Sequence, residues 1–119
     1  MVALDIMNSK VDLINSKKSP IVDKEIEDFL ASKNLNLLAT TDLSLAIKDS
    51  EFIIVATPTN YDDTKNYFNT DSVEIAIEEI IELNPNATIV IKSTIPVGFV
   101  QKMRNKYNVD NIIFSPEFL

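Results

Sequence analysis

The 119 residues contain no cysteine, no histidine and no tryptophan, and only one glycine. Without cysteine the chain can form no disulfide and offers no thiol nucleophile. Without histidine it has no imidazole for acid–base catalysis, and most zinc sites are excluded. A single glycine is unusual for a chain of this size that alternates strands and helices, because such folds spend glycines on turns and phosphate-binding loops. Basic charge is also scarce: 11 Lys and Arg stand against 18 Asp and Glu, a net charge of −7. That balance argues against general nucleic-acid binding, which needs a basic face. No apolar run reaches the roughly 18 residues of a membrane helix. The N-terminus carries Asp5 where a signal peptide would be basic and then apolar, so a cytoplasmic setting is expected.

What is present is a globular composition, 45% hydrophobic, of a length suited to one domain at most. The stretch 87–98 organises the rest. Ala87 to Ile91 is short, apolar and rich in β-branched residues, and reads as a buried strand. Ser93 and Thr94 follow, then Pro96 and Gly98, and a helix is expected from Val97 to Tyr107 with Val100 and Met103 inward. A strand thus delivers hydroxyls to a turn that feeds a helix N-terminus. In open α/β sheets ligands bind outside the carboxyl ends of strands, and free N–H groups at a helix start favour an anion. An ordinary strand–turn–helix with a capping threonine explains the same residues.

From the start of the chain, Met1 to Ile6 reads as a strand. Asn8 to Asn15 reads as a helix with Met7, Val11 and Ile14 on one face. Ser19-Pro20 breaks it. Asp23 can cap a second helix with Ile26, Phe29 and Leu30 inward. Leu37 to Thr40 is a second strand. Thr41 can cap a helix from Asp42 to Lys48, with Leu43, Ala46 and Ile47 inward. Phe52 to Ala56 has no polar residue, so both its faces should be covered, as in a central parallel strand. Thr57-Pro58-Thr59-Asn60 follows it. Tyr61 to Asn69 shows no period and reads as a loop. Asp71 and Glu74 have capping-box spacing, before a helix burying Val73, Ala76, Ile77, Ile80 and Ile81. Asn84-Pro85 stops it. Ile112 to Phe114 is a last strand before Ser115-Pro116-Glu117-Phe118-Leu119.

Strands and helices alternate throughout. The class is α/β with a mostly parallel sheet and right-handed crossovers. Asp5, Thr57 and Thr59, Ser93 and Thr94, and Glu117 all follow strands and would share one sheet edge. An acid ending a strand that starts a βα unit can receive adenosine ribose hydroxyls, favouring NAD over NADP because it repels a 2′-phosphate. Lys10, one turn into the next helix, can reach the same ribose or a phosphate. The competing readings are a helix cap for Asp5 and a solvated surface lysine for Lys10.

Val2-Ala-Leu-Asp-Ile, Lys17-Lys-Ser-Pro-Ile, Ala56-Thr-Pro-Thr-Asn-Tyr, Ile91-Lys-Ser-Thr-Ile-Pro-Val-Gly and Phe114-Ser-Pro-Glu-Phe-Leu together resemble consecutive signatures of the UDP-glucose/GDP-mannose dehydrogenases, over essentially the whole chain. The resemblance implies an NAD-dependent, two-step oxidation of the C6 alcohol of UDP-glucose to UDP-glucuronate through a cysteine thioester. It implies that Asp5 and Lys10 bind the adenosine ribose of NAD, and that Thr59 and Thr94 line the nicotinamide half. Thr94 would also help orient the hydrolytic water. Glu117, with Phe118 and Leu119, would begin the UDP-glucose site, and Glu117 would assist that water as a base.

The sequence departs from the family pattern in two ways. It starts one βα unit late, without the Gly-x-Gly-x-x-Gly turn that cradles the pyrophosphate, and it stops before the nucleophilic cysteine and the further domains. The expectation is therefore a partial NAD-binding domain over residues 1–119: an incomplete Rossmann-type sheet lacking its first βα unit, inactive alone, with weak or absent NAD binding. The missing strand would be central in the order 3-2-1-4-5-6. Its loss would leave a gap of roughly 9–10 Å, two strand spacings, between Val2–Ile6 and Phe52–Ala56. The gap can close by direct pairing, be filled by a strand of another copy, or leave the chain loosely packed and prone to aggregate. Loose packing or self-association through those edges is the expected result. A non-enzymatic regulatory or nucleotide-binding α/β module is the alternative function.

Overall fold

The computed structural model describes residues 1–32, 36–62, 64 and 67–115, with backbone alone for 60–62, 67 and 68. The chain divides into two compact units, Met1–Lys48 and Asp49–Leu119.

The first unit runs β1 (Val2–Leu4), α1 (Asn8–Asn15), α2 (Lys24–Ser32), β2 (Leu38–Thr40) and α3 (Leu43–Ile47). β1 and β2 are parallel, with Ala3 opposite Ala39. Helix α1 matches the expected span, but its apolar face is narrower: Val11 is buried while Met7, the N-cap, is exposed. It ends in a Schellman motif, in which the Lys17 N–H donates to the Ile14 carbonyl and the Lys18 N–H to the Leu13 carbonyl. Lys17 takes the left-handed position, φ 62°, where glycine is usual. Asp23 caps α2 as expected, its Oδ1 accepting the Ile26 N–H at 3.1 Å. Of the expected stripe on α2 only Leu30 is buried; Ile26 and Phe29 are exposed, so three apolar residues at helical spacing fill a single core position. At α3 the cap is Asp42, whose carboxylate accepts the Leu45 N–H. The expected Thr41 is displaced because Asp, also a strong N-cap residue, stands one position closer to the first helical turn.

The second unit runs β3 (Phe52–Val55), β4 (Asn60–Asp62), β5 (Tyr67–Asn69), α4 (Asp71–Leu83), β6 (Thr88–Ile91), α5 (Phe99–Tyr107) and β7 (Ile112–Phe114). Its main sheet has the order β3-β6-β7, all parallel. In this register Ile53, Ile89 and Ile112 share one face with Val55 and Ile91. Helices α4 and α5 pack on the sheet, bringing Val73, Ile77, Ile80, Phe99 and Met103 into the core. Phe52, Ile54, Val90 and Ile113 line the other face. Phe52 is 69% exposed and Ile54 62%, so the expectation that both faces of this strand are covered is wrong. The reason is topological. The sheet advances in one direction from β3 to β6 to β7, and right-handed crossovers then place both helices on the same side.

Residues 61–69, expected as a loop, contain β4 and β5, paired antiparallel with Tyr61 opposite Phe68. Three-residue strands are too short to show a period of two. The capping box at Asp71 does not form. Thr70 is the N-cap and makes no side-chain bond, and the Asp71 N–H instead donates to Asn69 Oδ1 at 3.0 Å. Helix α5 starts at Phe99, two residues later than expected, because Gly98 precedes it at φ 85°. That left-handed conformation cannot continue into a helix, and it leaves Val97 fully exposed.

Among the described residues β1 pairs with β2 alone and β3 with β6 alone. Each unit therefore has an open strand edge among the described residues. No helix of the described residues is long and apolar enough to cross a membrane.

Candidate functional site

The polar residues singled out by the sequence fall at strand ends. In the first unit, the Asp5 N–H extends the β1–β2 pairing by donating to the Thr40 carbonyl at 3.2 Å. Asp5 is half-buried, and its Oδ1 accepts the Met7 N–H at 2.9 Å. This bond turns the chain from strand into helix as a local Asx-type turn. It is not a cap of the first helical turn, since Met7 is the N-cap and α1 has no side-chain cap. One carboxylate oxygen is thus held by the backbone, and the other has no protein partner among the described residues. Lys10 lies in the first turn of α1 and is exposed.

In the second unit the parallel ladder sets the carboxyl ends of β3 and β6 side by side. Past the paired residues the Lys92 N–H donates to the Val55 carbonyl at 2.8 Å. Thr57 and Thr59 follow one strand, Ser93 and Thr94 the other. Ser93 is buried, 7% exposed, and its Oγ donates to the Thr57 carbonyl at 2.6 Å. Thr94 is exposed and Thr59 half-buried. Neither threonine hydroxyl has a protein partner among the described residues. Glu117, Phe118 and Leu119 lie outside the described residues. The described residues hold no cluster of acidic side chains suited to a metal ion.

Sequence reasoning found these strand ends but missed Ser72. Its Oγ donates to the Pro58 carbonyl at 2.8 Å and lies 3.3 Å from Thr57 Oγ1. Sequence offers no signal for it, because a serine in the first turn of a helix is ordinary. Asn15 was also missed, and it binds both backbone groups of Ala39.

Parallel ladders crossed by helices, an acid after β1 and hydroxyls after β3 and β6 mark a Rossmann-like fold. Comparison with known proteins makes this specific. The family model described as "UDP-glucose/GDP-mannose dehydrogenase family, NAD binding domain" matches residues 1–119. The chain is 53% identical over 116 residues to the UDP-glucose 6-dehydrogenase of Streptococcus pneumoniae, covering 98% of this chain and 29% of that protein. It is 42% identical over 119 residues to the Campylobacter jejuni UDP-glucose 6-dehydrogenase, covering all of this chain and 30% of the relative. The crystal structure of a ternary complex of GDP-mannose dehydrogenase from Pseudomonas aeruginosa superposes with a TM-score of 0.81 at 25% identity, over 99% of this chain and 30% of that one.

The chain belongs to the UDP-glucose/GDP-mannose dehydrogenase family, in its NAD-binding domain, and spans less than a third of the length of these relatives. NAD fits the residues present. Among the described residues one Asp5 carboxylate oxygen and the Thr59 and Thr94 hydroxyls have no protein partner, which leaves them able to bond a polar cofactor.

Proposed function

We propose that this chain is the cofactor-binding portion of a UDP-glucose 6-dehydrogenase, which oxidises UDP-glucose to UDP-glucuronate. The observation that carries the reading is the 53% identity to a UDP-glucose 6-dehydrogenase across nearly the whole chain. When bound, NAD supplies the hydride acceptor. The chain's own residues bind and orient it. Asp5 accepts hydrogen bonds from the adenosine ribose, its carboxylate already oriented by the Met7 N–H. Lys10, in the first turn of α1, adds a cation for the same ribose or a phosphate. Thr59 and Thr94 contact the nicotinamide half, and Thr94 also orients a water for the hydrolytic step. Glu117 serves that water as base, and with Phe118 and Leu119 begins the UDP-glucose site.

The 119 residues hold no thiol, so a cysteine thioester cannot form on them and the chain alone is inactive. Open edges on β1 and β3 also favour association with other copies. The test of this reading is a paired assay on the purified chain: amide shifts on adding NAD, and NADH formation from UDP-glucose. Binding at Asp5, Lys10, Thr59 and Thr94 without turnover supports it. Turnover that survives further purification, or saturable NAD binding that shifts none of the four, contradicts it.

A further inference from the structure

Beyond the Lys92–Val55 bond the turns after β3 and β6 have left the ladder. Two serines from different elements then fix the turn after β3. Ser93, past the end of β6, holds the Thr57 carbonyl at 2.6 Å. Ser72, in the first turn of α4, holds the Pro58 carbonyl at 2.8 Å and meets the Thr57 hydroxyl at 3.3 Å. Pro58 contributes its own restriction by locking φ. Two consecutive carbonyls and one fixed dihedral therefore precede Thr59. The Ser93 bond does something more. Its donor is adjacent in sequence to Thr94 and its acceptor stands two residues before Thr59. One hydrogen bond ties together the two segments that carry Thr59 and Thr94.

Stability alone accounts poorly for the Ser72 bond. The Ser72–Pro58 bond is exposed, and water serves an exposed carbonyl almost as well as a hydroxyl does. What a protein donor adds there is fixed geometry. We propose that Ser72 and Ser93 are positioning residues that set the spacing of Thr59 and Thr94 for the nicotinamide half of the dinucleotide. This rests on the reading that those two threonines contact NAD. Neither serine touches the cofactor; each acts through the Thr57–Thr59 turn.

The test is amide-resolved titration of the chain with NAD and, separately, with AMP, which lacks the nicotinamide half. Wild type, Ser72→Ala, Ser93→Ala and Ser93→Thr are compared, with the unfolding midpoint of each. The alanine variants should weaken NAD binding about three- to tenfold, the equivalent of one ordinary hydrogen bond. Their AMP binding should match wild type, and Ser72→Ala should keep the wild-type midpoint. Ser93→Thr, which retains the hydroxyl, should recover most of the NAD affinity. Unchanged NAD affinity in both alanine variants overturns the proposal. So does an equal loss for NAD and AMP, which marks a purely structural role. Wild-type titration without any NAD-induced shift at Thr59 or Thr94 overturns the cofactor contact itself, and the positioning role with it.

Discussion

Asn15 completes the outer edge of β2 through Ala39. Its Nδ2 donates to the Ala39 carbonyl and its Oδ1 accepts the Ala39 N–H, both at 2.9 Å. Leu38 and Thr40 spend backbone groups on the β1 side, to the Met1 carbonyl and from the Asp5 N–H. In a parallel ladder the residue between them faces the opposite way. The side-chain amide of Asn15 thus acts as a one-residue strand and leaves Ala39 nothing unpaired. Asn15→Ala should destabilise the first unit by about 1–2 kcal/mol, from two partly solvated hydrogen bonds. Asn15→Asp should cost a similar amount, because a carboxylate cannot donate. Chemical unfolding monitored on the first unit checks both. A loss below about 0.3 kcal/mol in both would mean that water replaces the amide at no cost.

The sequence made the second unit's ladder readable because β3, β6 and β7 are apolar runs followed by Thr57-Pro58, Ser93-Thr94 and Ser115-Pro116. Helix α1 was readable to the residue, but its packing was not. Periodicity marks a face that can be buried, and Ile26 on α2, exposed despite its place in the stripe, shows that helical spacing does not guarantee burial. The uncovered face at Phe52 and Ile54 lay beyond composition, since it follows from the direction in which crossovers advance. The site divided in the same way. Asp5, Thr59 and Thr94 stood out as residue types at strand ends. Ser72 and Asn15 act through bonds to carbonyls distant in sequence, and no local pattern announces these.

With one glycine in the chain, left-handed positions fall to other residues, Lys17 at φ 62° and Asn108 at φ 52°. Lys17→Gly should stabilise the fold by about 0.5–1 kcal/mol, since a Cβ in the left-handed region costs roughly 1–2 kcal/mol and glycine returns part of that as chain entropy. Gly98→Ala should destabilise by about 1–2 kcal/mol through its φ of 85° alone, because an added Cβ would meet nothing within 4 Å. Thermal unfolding of the two variants should move in opposite directions. A neutral Gly98→Ala would show that the turn before α5 relaxes freely.

The chain alone should form no NADH from UDP-glucose and NAD. Its 119 residues include no cysteine, the nucleophile that a thioester route requires. A coupled absorbance assay at high protein concentration is sufficient. Sustained activity through repeated purification would refute the assignment of this chain to cofactor binding alone.

The open edge of β3 should be visible residue by residue. The Glu51 and Val55 carbonyls accept from Thr88 and Lys92, so odd-numbered residues face β6. Phe52 and Ile54 turn their backbone groups to the edge that has no partner among the described residues. In dilute monomer the Ile54 amide should exchange much faster than those of Ile53 and Val55. At high concentration its protection should rise together with the sedimentation coefficient, as apolar edges pair between copies. Ile54→Lys should suppress both changes. Strong Ile54 protection in the dilute monomer would mean that the edge is paired within one chain.

The cofactor assignment stands or falls on Asp5. Titration of the chain with NAD, followed by backbone amide shifts, should give saturable changes at Asp5, Lys10, Thr59 and Thr94. Half-saturation should lie on the order of millimolar, several charge-assisted bonds short of a complete dinucleotide site. Asp5→Ala should weaken that binding at least severalfold, and NADP should bind less tightly than NAD to the wild-type chain. Micromolar affinity, shifts confined to other residues, or an Asp5→Ala variant that binds as the wild type does would each contradict this account.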